Sequence, residues 1–343
     1  MKEFQPSSRA EPTGSPTRRF SRRSLVGAAA TLVAAAVGGR YWAQQRSMAE
    51  AVPLTISEEP DRGNFAAIYS QQAQRAEFVE FLSNVFHLYP EQELDALIAD
   101  CVGVDPRDPA VYRRLVRRLG GIEPTLGLFR YSLPALSKQK NEMARQTQQL
   151  LGADFQVRGY LEIGSHGRYL HALRKKLDIE GPIFTCATDA PTHSIVDVVD
   201  RGQFTFAGQA LALADYKPLA QSVVEPGSLD LITVYIGFHH AAFEARVPYL
   251  QSLARALSSR GRLVVRDHDV TSEAMSHLVG LAHDVFNAGT GESWSVNRNE
   301  RRNFYSLEFL SSLLEKEGFV AQPGRLLQAG DPTENTLMAF AKA

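Results

Sequence analysis

The sequence predicts an α/β protein in which an all-helical lobe precedes a doubly wound, mostly parallel sheet of seven strands. Two observations predict it. After Gly152, short β-branched runs alternate with helical patterns, at residues 159–163, 183–187, 211–214, 229–235, 262–265, 319–322 and 335–341. Before it, from Asn64 to about Leu151, apolar residues recur at helical spacings. Strands that alternate with helices build a parallel sheet covered on both faces. In such sheets ligands bind beyond the C-terminal ends of the strands, so the residues following each strand carry most of the functional information.

Composition narrows the class. The chain has 343 residues, 44% apolar and 22% charged, which is ordinary globular usage and excludes a wholly disordered chain, a collagen-like fibre or a polytopic membrane protein. A formal charge of −1 argues against a nucleic-acid binder. Cys101 and Cys186 are too few for a disulfide framework or a four-cysteine zinc site. The neutral total hides an asymmetry, because residues 1–50 carry +5 and residues 51–343 carry −6.

Residues 1–51 read as a basic disordered head followed by a targeting segment. An apolar run at 25–39 follows Thr17-Arg18-Arg19-Phe20-Ser21-Arg22-Arg23-Ser24 and precedes Arg40-Tyr41-Trp42. A basic head before a short apolar stretch is the form of an export signal. Ser21-Arg22-Arg23-Ser24-Leu25-Val26 resembles the bacterial twin-arginine signal, whose carriers cross the membrane folded. The run is short for a span of about 20 residues. With Arg40 snorkelling and Tyr41 and Trp42 at the interface it would still serve as an anchor. A small-x-small site stands at Ala49-Glu50-Ala51. The expected location is therefore the membrane or beyond it, with a cytoplasmic protein bearing a basic tail and an Ala-rich helix as the alternative.

Residues 52–63 read as a linker and 64–151 as the helical lobe. Phe78, Phe81, Leu82 and Val85 form one apolar stripe. Asp108-Pro109 reads as an N-cap with proline at the first helical position, Gly120-Gly121 ends that helix, and a last helix spans 133–151. The lobe carries no catalytic motif of its own, which leaves it a structural or substrate-covering role.

Residues 152–343 hold the motifs. The first strand runs into Glu162-Ile163-Gly164-Ser165-His166-Gly167-Arg168, an acidic residue and a glycine turn that let a ligand approach the backbone. G-x-G-x-x-G is absent, so this is not the dinucleotide fingerprint. The second strand ends at Asp189 and the third at Asp215-Tyr216; each aspartate is equally placed to cap a helix or close a turn. The fourth reads Leu229-Asp230-Leu231-Ile232-Thr233-Val234-Tyr235-Ile236-Gly237-Phe238-His239-His240, and the fifth ends Arg266-Asp267-His268-Asp269.

Taken in order, these segments resemble class I S-adenosylmethionine-dependent methyltransferases of the small-molecule type, over about residues 153–343. The glycine loop is one residue shorter than that family's E/D-x-G-x-G-x-G, and Arg260-Gly261 replaces its usual Gly-Gly turn. The resemblance implies a Rossmann-like fold whose last strand is inserted antiparallel beside the sixth. It also implies S-adenosylmethionine as cofactor, held by Glu162, Gly164, Ser165, His166, Gly167, Asp189, Asp215, Tyr216 and Gly237. Asp189 would accept from the ribose hydroxyls and Asp215 from the adenine amino group. The implied reaction is methyl transfer to an oxygen or carbon of a small or lipid-like acceptor.

A base is needed only where the acceptor carries a proton, and His239, His240, His268 and Asp267 are the candidates. Competing readings give each histidine a loop-fixing role, or gather His166, His239, His268, Asp267 and Asp269 around a divalent metal; no short H-x-x-x-H or C-x-x-C spacing supports the metal, and none is expected. Residues 284–302, polar and bearing Trp294, read as a substrate-side loop. Two other functions stay open. One is a methyltransferase-like scaffold that binds without transfer, since an exported enzyme would need a supply of a cytoplasmic cofactor that cannot freely cross a bilayer. The other is an NAD(P)-dependent oxidoreductase, against which the glycine spacing argues.

Overall fold

The computed structural model describes residues 61–122, 133–206 and 208–343. The targeting segment, the small-x-small site and most of the linker lie outside the described residues. Among the described residues no helix is long and apolar enough to cross a membrane.

The lobe begins with α1 (Asn64–Tyr69), α2 (Gln72–Phe81), a π-helical turn (Leu82–Phe86), α3 (Glu91–Val104) and α4 (Asp108–Arg118). The stripe read from the sequence is buried at Phe78, Phe81 and Leu82, beside Phe65, Ile68, Leu94 and Ile98. α3 places Glu91 and Glu93 in its first turn, and α4 places Arg117 and Arg118 in its last, both favourable to the helix dipole. Asp108 does cap a helix, but not its own. Its carboxylate accepts from the backbone N–H of Asn64 (3.1 Å) and Phe65 (3.1 Å), the opening of α1.

α5 (Leu133–Leu151) leads into β1 (Val157–Ile163), α6 (Leu170–Leu173), β2 (Ile179–Ala187), α7 (Ile195–Arg201), β3 (Gln209–Ala212) and β4 (Leu229–Val234). Then come α8 (Phe243–Ala256), β5 (Leu257–His268), α9 (Glu273–Gly289), α10 (Trp294–Asn299), α11 (Leu307–Lys316), β6 (Phe319–Leu327) and β7 (Asn335–Lys342). The seven strands form one sheet in the order β3-β2-β1-β4-β5-β7-β6. β7 runs antiparallel to both neighbours, while the pairs from β3 to β5 are parallel. The expected doubly wound, mostly parallel, Rossmann-like sheet is therefore observed, with its last strand inserted as the sequence implied.

Strand periodicity separates the two faces. Leu161, Ile163, Ile232, Val234, Leu263, Val265, Met338 and Phe340 pack under α8 and α11, against Tyr249, Leu253, Leu310 and Leu314. The alternate residues Tyr160, Leu231, Val264, Leu337 and Ala339 pack under α5 and α6, against Met143, Leu170 and Leu173. α9 leaves the sheet. Its Leu278, Leu281, Ala282 and Val285 join the core of the lobe, together with Trp294. Residues 284–302 are thus not the expected loop: Asp284 lies inside α9, and Trp294 opens α10 as a buried residue. The apolar spacing of 278–285 continues to Ala288, which explains why the helix does not stop at His283-Asp284.

Candidate active site

The strand ends bring most of the predicted residues to one edge. Glu162 closes the first turn from within. Its buried carboxylate accepts from the hydroxyls of Tyr160 (3.0 Å) and Ser165, and from the N–H of Tyr169 (3.3 Å). Burial raises its pKa, and those donors partly offset the rise. Glu162 and Ser165 therefore shape the turn and spend their polar atoms on each other. Gly164 adopts φ 96°, a left-handed conformation, and a Cβ there would stand 2.4 Å from Ile236. Gly167 is also left-handed, at φ 88°.

His166, within this turn, and Arg201, close enough to act on the charge of His166, have polar atoms to spare. Among the described residues, His166 Nδ1 and Arg201 Nε and Nη2 are buried without a hydrogen-bond partner. Burial lowers the His166 pKa, and the nearby Asp197 opposes that. Arg201 gives Nη1 to the carbonyl of Thr192 (2.9 Å) and lies over the Phe206 ring. Its position in α7 was not singled out from sequence, because an arginine at a helix end ordinarily faces solvent.

Asp189 is exposed at the end of β2. Beyond β3, Ala214, Asp215 and Tyr216 take φ values of 45°, 56° and 60° in succession, an unusual left-handed run for residues with side chains. The turn holds the Asp215 carboxylate outward, 3.6 Å from Arg301 Nη1, and drops the Tyr216 ring into the core against Tyr249.

A second group of side chains is built around Asp267, at the end of β5. Its buried carboxylate accepts from the N–H of Phe238 (2.8 Å), His239 Nδ1 (2.6 Å), the N–H of His268 (2.9 Å) and the Tyr305 hydroxyl (2.5 Å). Burial alone would raise its pKa, but His239, Tyr305 and His268 hold it well below the usual carboxylate range. With Nδ1 committed to the carboxylate, His239 Nε2 is left buried and, among the described residues, without a hydrogen-bond partner. His268 is committed at both nitrogens, with Nδ1 at 2.9 Å from the Thr333 carbonyl and Nε2 at 3.3 Å from Asn335 Nδ2. Its pKa falls to about 4 through burial and the neighbouring His239.

His240 continues the cluster. Its Nδ1 lies 3.1 Å from the Arg301 carbonyl, and burial, then His239, lowers its pKa to about 4. His283, from α9, completes it; its ring lies 5.1 Å from that of His239 and 5.4 Å from that of His240. Burial pushes its pKa well down. Glu300 faces both: burial alone would raise its carboxyl, but His283, Arg302 and His240 hold it well below the usual range. Arg301 ties the two halves together, because its carbonyl meets His240 while its guanidinium reaches Asp215.

Glu300 and Arg301 fall in the segment the sequence reads as a loop, and His283, just before it, carries no sequence motif. A usable signal existed. His283 follows Val279 by one helical turn, and Val279 is buried, so a histidine there faces the interior. A cavity of about 330 Å³ lined by Asn64, His277, Arg302 and Phe304 borders the cluster, with the Phe304 ring 5.4 Å from His239. A larger one, about 390 Å³, surrounds Arg158, Asp230 and Arg260 at the opposite ends of the strands, away from these side chains.

No protein-family model and no curated protein sequence matches the chain. Solved structures do. The Burkholderia thailandensis 1,6-didemethyltoxoflavin-N1-methyltransferase, with its acceptor and S-adenosylhomocysteine bound, matches at 10% identity and TM-score 0.38, over 61% of this chain and 79% of that one. An O-methyltransferase family 2 protein from Planctomyces limnophilus, in complex with apigenin, matches at 17% identity and TM-score 0.41, over 62% and 60%. The pyocyanin biosynthetic protein PhzM matches at 14% identity and TM-score 0.44, over 80% and 74%. Likeness at this level identifies neither a substrate nor a reaction.

Proposed function

We propose that the chain transfers a methyl group from S-adenosylmethionine to a small or lipid-like acceptor, at an oxygen or carbon that gives up a proton. The single observation that carries this reading is the buried Asp267–His239 pair at the strand ends, whose Nε2 has no hydrogen-bond partner among the described residues. S-Adenosylmethionine, when bound, supplies a methyl group already activated on a sulfonium.

The residues fit such a donor. The left-handed Gly164 and Gly167 form the turn, Gly164 by admitting Ile236 where a Cβ would stand, and Asp189 presents two oxygens to paired hydroxyls. His166 and Arg201 keep unpartnered nitrogens suited to a carboxylate. Asp215 stands at the outer rim, held by its left-handed turn. On the acceptor side, Asp267 fixes the His239 tautomer so that Nε2 carries the lone pair, takes the acceptor's proton, and leaves a cation beside an ionised carboxylate. Proton removal and positioning are all that the protein must add, because the displacement itself is driven by the sulfonium.

Isothermal titration of the full chain with S-adenosylhomocysteine tests the reading. Saturable binding is expected, and the absence of both heat and a thermal shift at millimolar ligand would overturn it. Export or anchoring by the Arg22-Arg23 segment is proposed separately. A reporter fused to the C-terminus distinguishes a periplasmic from a cytoplasmic body.

A further inference from the structure

His239, His240 and His283 each offer one ring nitrogen, and these atoms lie within 4.8 Å of one another. Two come from the turn after β4 and the third from α9, so the fold closes the cluster from two directions. The outer contacts are informative. In each ring Nδ1 is turned toward an oxygen: Asp267 Oδ1 at 2.6 Å for His239, the Arg301 carbonyl at 3.1 Å for His240, and Glu300 Oε2 at 3.8 Å for His283. A carboxylate or carbonyl behind one ring nitrogen orients the other as a ligand, which is the outer shell of histidine metal sites. Among the described residues, His239 Nε2 is buried without a hydrogen-bond partner. His268 lies 5.7 Å from His239, yet Thr333 and Asn335 engage both its nitrogens, so it supports the group without joining it.

We propose that His239, His240 and His283 bind one divalent ion of the zinc class. Imidazole selects the borderline transition metals over magnesium or calcium. Three nitrogens leave a fourth position for an exogenous oxygen, the pattern of a catalytic rather than a structural zinc site. Bonds of about 2.1 Å in tetrahedral geometry bring the nitrogens to about 3.4 Å apart, so the rings would close in from the present separation of up to 4.8 Å when the ion binds. The ion would also balance the two carboxylates, Asp267 and Glu300, that stand behind its ligands. It takes the His239 lone pair. A hydroxyl acceptor that places its oxygen in the fourth position would then lose its proton to water through the charge of the ion, rather than to the imidazole. The ligands are the same whatever else the chain binds, but a bound ion would replace His239 as the proton acceptor of the proposed transfer and leave Asp267 orienting a ligand rather than a base.

The test uses the full chain, stripped with a chelator and titrated with zinc, and with cobalt as the spectroscopic probe. One ion per chain is expected, with a rise in the wild-type melting temperature and the visible absorption of four-coordinate cobalt. His283→Gln and His240→Gln should each weaken zinc binding beyond the roughly 10–100-fold cost of losing an outer partner. Where a variant does not fold, the wild-type cobalt spectrum and thermal shift decide alone. Absence of stoichiometric binding to the wild type overturns the site, as does binding that is equally tight in both folded variants. A parallel titration with S-adenosylhomocysteine keeps the two readings apart: donor binding without zinc removes only the metal, and zinc binding without the donor removes only methyl transfer.

Discussion

Asp267 and Gly237 are packed so closely that a Cβ on the glycine would stand 2.6 Å from the carboxylate oxygen. Gly237 is also left-handed, at φ 77°, which lets the chain turn from β4 and present Phe238 N–H and His239 to that carboxylate. Gly237→Ala therefore combines a steric conflict with a strained backbone. The expected loss is about 1–3 kcal/mol of stability, with His239 displaced from its partner. Urea unfolding monitored by circular dichroism checks the first outcome, and loss of turnover or of metal binding checks the second.

Among the described residues, the hydrogen-bond partners of the Asp267 carboxylate are all donors: two backbone N–H groups, one imidazole and the Tyr305 hydroxyl. Asp267→Asn would turn an amide N–H₂ toward at least one of them. A buried donor left unmatched costs about 1–3 kcal/mol. The variant also releases the His239 tautomer, so the proposed transfer should slow by roughly 100- to 10,000-fold, more than the stability loss would explain. Rates measured well below the unfolding temperature separate the two effects.

The sheet was legible because strands buried on both faces read as β-branched runs, and the strand-end rule then pointed to Asp189, Asp215, Asp267 and His239. What those residues touch was not legible. Glu162 reads as a ligand residue, yet Tyr160, Ser165 and Tyr169 occupy its oxygens. His268 reads as an acceptor-facing base, yet Thr333 and Asn335 hold it. In both cases the partner comes from a turn or a later strand whose approach no local pattern encodes. His283 was hidden for another reason. The polar residues after it suggest a loop from Asp284 on, but Asp284 is matched by Asn64, Asn297 and Arg302, so the helix that carries His283 runs on past it. The sequence pattern marks polarity; only the fold shows that it is satisfied.

Asp189 and Glu162 should behave oppositely, although the resemblance assigns both to the donor. Asp189 is exposed and makes no contribution to the core, so Asp189→Ala should leave the unfolding midpoint within about 0.5 kcal/mol of wild type. Loss of charged hydrogen bonds worth about 1.5–3 kcal/mol would weaken S-adenosylhomocysteine by roughly 10- to 100-fold. Glu162→Ala should instead lower stability first, because it leaves the Tyr160 and Ser165 hydroxyls buried without their acceptor. Calorimetry and unfolding on the same two variants check the contrast.

Asp108 predicts a pH dependence that belongs to the lobe alone. Burial, and then the charge of Asp284, push its pKa from 3.8 up to about 7, against the opposing N–H groups of Phe65 and Asn64. A carboxyl whose folded pKa is raised keeps its proton in the native state after the unfolded chain has lost it. Between about pH 4 and pH 7 the native state thus binds more protons, and this residue's contribution to stability falls as pH rises, with a slope of up to about 1.4 kcal/mol per unit. His240 and His268, whose pKa values are lowered to about 4, contribute the opposite slope below the ordinary histidine value. Wild-type stability alone therefore mixes the two. The difference between wild type and Asp108→Asn isolates the carboxyl, because the amide cannot titrate while the histidines are unchanged. Wild type should lose ground to the variant as the pH moves from about 5 to about 7. The variant carries a constant penalty from the amide group facing one α1 N–H, which cancels in that comparison. Urea midpoints at the two pH values provide the measurement, and a difference that does not change with pH would show that Asp108 is ionised throughout.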